Sequence, residues 1–166
     1  MTALRALVID DDVDAAEWLA YTLQSRFPEL RIETRLTPDV SGEYDLYFID
    51  NDFHGESMAG DLAHSIRDLN PNGLIVAFSA RLDGLTLKRL VNAGCDGAFD
   101  KSSPEEVNHL LAIVDKYMAQ SKAHSQDRGF LGAIRAIRGL LSEWNRRLEL
   151  DPWKAPAPEV SEAAAR

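Results

Sequence analysis

Five short apolar or strand-like runs recur along the chain, Leu4–Ile9, Arg31–Leu36, Leu46–Ile49, Leu74–Phe78 and a weaker one at Gly97–Phe99, and segments of helical period lie among them. Runs this short read as strands, and alternation of strand with helix demands a parallel sheet, because parallel neighbours are reached only through a crossover. The expected fold class is therefore α/β: a five-stranded parallel sheet, doubly wound, with helices on both faces. In the first helix Ala15, Trp18, Leu19, Thr22 and Leu23 share a face, with Asp12 or Asp14 as N-cap. A second is expected from Met58 to Leu69, stopping before Asn70-Pro71-Asn72-Gly73, and a third follows Asp83 through Leu85, Leu87, Leu90 and Val91 to Ala93-Gly94. The fourth begins with Ser103 as N-cap and Pro104 at the first helical position, and Val107, Leu110, Leu111, Val114 and Met118 form its stripe. From Arg35 to Asp45 the chain has only about ten residues, Pro38 and Gly42 among them, so the helix between strands two and three is expected to shrink to a turn or a single helical turn.

The strand ends carry the chemistry. Leu7-Val8-Ile9 runs into Asp10-Asp11-Asp12, and Leu46-Tyr47-Phe48-Ile49 into Asp50. Both deliver carboxylates to the edge where open α/β sheets bind ligands. Carboxylates converging there repel one another unless a cation sits among them, and hard oxygen donors favour Mg²⁺. The pattern points to a metal-assisted phosphate site.

Charge and composition narrow the function classes. Residues 1–120 hold 10 Lys and Arg against 21 Asp and Glu, whereas residues 121–166 hold 8 against 6, so the net charge of −9 lies in the first part. An acidic body argues against unassisted nucleic-acid binding, to which phosphate contacts contribute most of the affinity. The lone Cys95 rules out an internal disulfide and suits a reducing compartment. The opening residues lack a signal-peptide pattern, and no stretch approaches the roughly 20 apolar residues of a membrane span. A soluble cytoplasmic protein is expected.

Asp10-Asp11 after strand one, Asp50 after strand three, Ser79 in Phe78-Ser79-Ala80 after strand four and Lys101 after strand five together resemble a two-component response-regulator receiver domain of the CheY-like family. Val8-Ile9-Asp10-Asp11-Asp12, Tyr44-Asp45-Leu46 and Asn92-Ala93-Gly94-Cys95-Asp96-Gly97 leading to Asp100-Lys101-Ser102 support it, and the resemblance covers about residues 3–120. Taken singly, each position has an ordinary explanation: helix cap, turn carboxylate, loop hydroxyl or surface lysine. Four strand ends carrying the right residue in the right order do not.

The resemblance implies a phosphorylation-dependent signalling switch. Asp50 would accept a phosphoryl group from a histidine kinase or histidine phosphotransfer protein. Mg²⁺ would be held by Asp10, Asp11, Asp50 and the backbone carbonyl of Asp52, while Ser79 and Lys101 would grip the phosphoryl oxygens. No enzymatic activity is expected beyond accepting and losing this group. Asp52 and Arg81 fall where the family tunes acyl-phosphate hydrolysis, and an ion pair between them over the site is expected. The chain departs from the family at three places. Ala98 stands where the family's switch aromatic usually lies, with Phe99 on the opposite face; Ser102 stands in place of a proline, and His54 replaces another. His54, His64, His109 and His124 are too scattered for a metal cluster, and His54 alone could visit the site.

Four segments follow: a receiver domain over 1–120, a polar hinge over 121–127, an amphipathic helix over 128–150 and a flexible tail over 151–166. In the helix Phe130, Ile134, Ile137, Leu141, Trp144 and Leu148 recur at steps of four and three, flanked by Arg128, Arg135, Arg138, Arg146 and Arg147. Gly129, Gly132 and Gly139 weaken it by about 1 kcal/mol each at interior positions, so it needs a packing partner. It either folds back over an apolar groove on its own receiver, or serves as an intermolecular coiled coil or partner-binding helix that gives homodimerisation or protein contact as the output. One amphipathic helix does not make a helix-turn-helix domain, so DNA binding is not expected. Two alternatives stand beside the switch. One is a haloacid-dehalogenase-like phosphatase with Asp10 as nucleophile, which would need a later acidic pair where Glu105-Glu106 fall on a helix. The other is an unphosphorylated receiver-fold scaffold.

Overall fold

The computed structural model describes residues 3–124 and 130–146. Strands β1 (Arg5–Ile9), β2 (Arg31–Arg35), β3 (Leu46–Asp50), β6 (Leu74–Ser79) and β7 (Gly97–Asp100) form one parallel sheet in the order β2-β1-β3-β6-β7. A small antiparallel pair, β4 (Asp52–Phe53) and β5 (Glu56–Ser57), follows β3. The helices are α1 (Val13–Arg26), α2 (Ala59–Leu69), α3 (Gly84–Asn92), α4 (Pro104–His124) and α5 (Phe130–Asn145). All of β3 and β6 is buried, as two-sided cover requires.

Side chains alternate between two core layers. Ala6, Val8, Phe48, Val76, Phe78 and Phe99 pack with α1, α4 and α5. Leu7, Ile9, Tyr47, Ile49, Ile75, Ala77 and Ala98 pack with α2 and α3. Phe99 therefore cannot substitute for an aromatic at Ala98. Helix starts follow local chemistry: Asp12 caps α1 by accepting from the N–H groups of Asp14 (2.9 Å) and Ala15 (3.3 Å), and Asp83 caps α3 through Thr86 N–H (2.7 Å). Three expected core positions, Trp18, Leu85 and Val91, face water instead. Trp18 is 47% exposed and Leu85 80%, because Ala16, Leu19 and Leu23 of α1 and Leu87 and Leu90 of α3 are the residues turned inward.

Between β2 and β3 the shortening is complete, and residues 36–45 make bends without a helical turn. Tyr44 covers part of the sheet face in a helix's place. Its hydroxyl donates to Glu33 Oε2 (2.6 Å) and accepts from Arg35 Nη2 (2.8 Å), while Arg35 Nη1 donates to the carbonyls of Asp39 (2.9 Å) and Ser41 (2.8 Å). One arginine thus closes the loop onto the strand.

At the C-terminal side, α4 continues through His124, so residues 121–124 of the expected hinge are helical. Residues 125–127, Leu148 and the expected tail over 151–166 lie outside the described residues, and only the backbone of Phe130 is described. Helix α5 folds back on its own domain. Ile134, Ile137 and Leu141 are buried in the layer containing α4, and Trp144 packs against it. Of the two arrangements expected for this stripe, Ile134, Ile137, Leu141 and Trp144 take the one within the chain. Arg138 Nε pairs with Asp96 Oδ1 (2.7 Å), whose other oxygen pairs with Arg67 (2.7 Å). Asn145 donates to the Asp96 carbonyl (3.1 Å). A Cβ on Gly97 would lie 2.9 Å from Leu141, so the absent side chain lets α5 approach β7.

Candidate functional site

In this strand order β1 connects to β2 on one side while β3 lies on the other, which makes their C-terminal ends the switch point of the sheet. Asp10 follows β1 and Asp50 ends β3, each 5% exposed. Lys101, one residue past β7, reaches both: its Nζ lies 2.5 Å from Asp10 Oδ2 and 2.7 Å from Asp50 Oδ1. The remaining carboxylate oxygens are steadied by backbone, Asp12 N–H donating to Asp10 Oδ1 (3.1 Å) and Asp52 N–H to Asp50 Oδ2 (3.1 Å).

Asp11 completes an acidic cluster in which one oxygen each of Asp10, Asp11 and Asp50 lie within 4.8 Å of one another. Asp12 is engaged in capping α1 and stands apart. Burial lifts the Asp50 carboxyl above the ordinary carboxylate range; Lys101 opposes the rise and the Asp10 charge adds to it. Burial also works against the Lys101 ammonium, but its bonds to Asp10 and Asp50 outweigh that and hold it above its ordinary value.

Three carboxylates facing one ammonium give the crevice a surplus of negative charge among largely buried groups. An all-oxygen donor set of that charge fits Mg²⁺ or a similar hard divalent cation. Asp10, Asp11 and Asp50 are the side chains that would hold it.

Ser79 ends β6 and is 4% exposed. Its hydroxyl donates to the Arg81 carbonyl (2.8 Å) and accepts from the Arg81 N–H (3.2 Å), so it is turned onto its own loop. The Arg81 and Asp52 side chains are exposed and form no ion pair with each other among the described residues, contrary to the expected bridge over the site. Asp52 opens β4 and Arg81 lies in the bend after β6, and both side chains are exposed to solvent, where an ion pair gains little. Ala98 is fully buried, and its neighbour on β6 is Ala77. The Lys101–Ser102 peptide is trans. Glu105 and Glu106 lie in the first turn of α4, where Glu106 accepts the Asp100 N–H (2.7 Å), outside the acidic cluster.

Two further contacts border the site, the first without a counterpart among the sequence expectations and the second in line with the expectation that His54 alone could visit it. Arg89 of α3 donates to the side chain of buried Asn51 (3.2 Å), next to Asp50. His54, in the turn between β4 and β5, contacts Asp11 through both its backbone N–H and its ring. Gly55 was the available part of the signal for that turn, since a two-residue hairpin favours Gly at its second central position.

No protein-family model matches the chain, and no curated protein matches it. Solved structures do. The signal receiver domain of the DNA-binding response regulator merR from Colwellia psychrerythraea 34H aligns with a TM-score of 0.63 at 21% identity, over 70% of this chain and 99% of that one. A CheY-like response regulator receiver domain from Methanospirillum hungatei JF-1 gives 0.60 at 19% over 74% and 99%, and the BeF3-activated DrrB receiver domain 0.61 at 20% over 71% and 99%. The fold is that of a response-regulator receiver domain. On this receiver fold, Asp10, Asp11, Asp50 and Lys101 converge at one edge, whereas Ser79 is adjacent but faces its own loop. Among the described residues no helix is long and apolar enough to cross a membrane.

Proposed function

We propose that the chain is a signalling receiver that accepts a phosphoryl group on Asp50 from a histidine kinase or histidine phosphotransfer protein in the cytoplasm. The observation that carries this reading is the double ion pair of Lys101 with Asp50 and Asp10 across the switch point. It keeps a buried carboxylate oriented and leaves a cation-sized negative site beside it.

In the reaction an Asp50 oxygen attacks phosphorus, the bond from phosphorus to the donor's leaving atom breaks, and an acyl phosphate results. A divalent cation bound by Asp10, Asp11 and Asp50, with the Asp52 carbonyl as a further oxygen, would offset charge on the phosphoryl oxygens. Lys101 must release the attacking carboxylate oxygen and turn its ammonium to the phosphoryl group. Ser79 must give up its two bonds to the Arg81 backbone to donate to the same group, drawing that loop inward. Asp52 and Arg81, on the rim, would tune the return of water. The chain catalyses nothing beyond gaining and losing its own phosphoryl group, and its output is contact with another protein. An acidic body gives no footprint for DNA.

Incubation with a small acyl phosphate and Mg²⁺, followed by mass spectrometry of peptides, tests the reading. Modification of Asp50 is expected, and Asp50→Asn should abolish it. Modification of Asp10 would point to phosphatase-like chemistry, and modification of neither to a scaffold.

A further inference from the structure

His54 holds φ of 49° and Gly55 follows at 84°. Two successive positive values make the type I′ turn that matches the twist of a tight hairpin. Gly or Asn adopts this conformation at less cost than His, so the turn alone gives no reason for an imidazole. The reason lies across the crevice. The His54 N–H donates to Asp11 Oδ2 (2.8 Å), and ring Nδ1 lies 2.9 Å from the same oxygen. Among the described residues these two contacts, one hydrogen bond and one close approach of the ring, are the polar contacts to the Asp11 carboxylate, and both fall on the same oxygen. Asp10 and Asp50 have Lys101 and following backbone N–H groups to orient them. Asp11 has His54.

We infer that His54 is a positioning residue for the divalent-cation site: it fixes the Asp11 carboxylate so that its second oxygen is presented to the ion. The inference rests on the metal site of the proposed function. Hydrogen bonds behind a ligating carboxylate commonly govern about 10- to 100-fold in metal affinity. Here the ring is 81% exposed and the backbone N–H survives truncation, so the effect lies at the lower end of that range.

Mg²⁺ affinity of the full chain, measured by titration calorimetry, distinguishes positioning from turn-making. Wild type is expected to bind one ion, and Asp11→Asn to lose most of that affinity. His54→Ala and His54→Gly should each bind about tenfold more weakly. His54→Asn, whose amide can donate and which tolerates positive φ, should stay within about threefold of wild type. A turn-only role predicts the opposite order, with Gly at least as good as His. Wild-type or tighter binding by His54→Gly, beside a defective Asp11→Asn, overturns the role of His54 and leaves the metal site standing. Failure of wild type to bind, or unchanged binding in Asp11→Asn, overturns both.

Discussion

The Lys101 ammonium lies 2.7 Å from the Asp50 carboxylate although β6 separates their strands in the sheet. Even with this cation in contact, burial leaves Asp50 above the ordinary carboxylate range. A carboxyl whose folded pKa is raised holds its proton longer in the folded state than in the unfolded one. Stability therefore falls as pH rises from the ordinary carboxylate value through the raised one. Asp50→Asn removes that titration while Lys101 keeps Asp10. Without divalent cations it is expected to melt above wild type at pH 7, measured by thermal denaturation. The gain should shrink as pH drops below the raised value. A lower melting temperature for Asp50→Asn at pH 7 would contradict the account.

Asp52 and Arg81 do not touch, so their influences on loss of the phosphoryl group are expected to be independent. The effects of Asp52→Ala and Arg81→Ala on the dephosphorylation rate should combine in the double variant to within about twofold, as for sites without shared partners. A larger coupling in that cycle would mean the side chains meet once Asp50 is modified.

Tyr44 fastens the helix-free loop to β2. Tyr44→Phe removes a bond to Glu33 and one from Arg35, and is expected to cost about 1–2 kcal/mol in urea denaturation. The Tyr44 hydroxyl, then Arg35, holds the Glu33 carboxyl below its ordinary value. A depressed carboxylate stabilises above its unfolded pKa and loses that contribution as pH falls through the folded one. The difference between wild type and Tyr44→Phe should accordingly be present at pH 7 and diminish in acid. Equal stability at pH 7 would show that the loop is held by its backbone alone.

Much of this architecture was legible because it follows from short-range rules. Apolar runs of strand length ending in Asp10, Asp50, Ser79 and Lys101 announce both the parallel sheet and the edge where those residues gather. What sequence could not reveal depends on contacts distant along the chain. The meeting of Arg89 with Asn51, or of His54 with Asp11, has no periodicity to betray it. The stripe of α5 was visible as an apolar face but compatible with either an internal or an external partner. Gly97 and Asp96, which decide that question, lie some 40 residues earlier and read as the start of the fifth strand and the residue before it.

Helix α5 is consequently part of the domain's core, and it reaches toward the site through aromatic contacts. Trp144 stacks on His109 (3.7 Å between centroids) and near Phe99 (6.2 Å), Phe99 lies beside Phe78 (6.3 Å), and Phe78 is the strand partner of Asp50. Leu141 anchors the helix where Gly97 makes room. Truncating a buried leucine typically costs about 2–5 kcal/mol, and part of that loss should appear as undocking of α5. Leu141→Ala is expected to speed hydrogen exchange of α5 amides by at least about tenfold, with smaller changes in β1 and β3. Arg138→Ala, which leaves Asp96 with Arg67, should act in the same direction more weakly. Both variants should still take a phosphoryl group on Asp50, because no α5 side chain contacts Asp10, Asp50 or Lys101 among the described residues. Unchanged exchange in α5 of Leu141→Ala would mean that Ile134, Ile137 and Trp144 suffice to hold it.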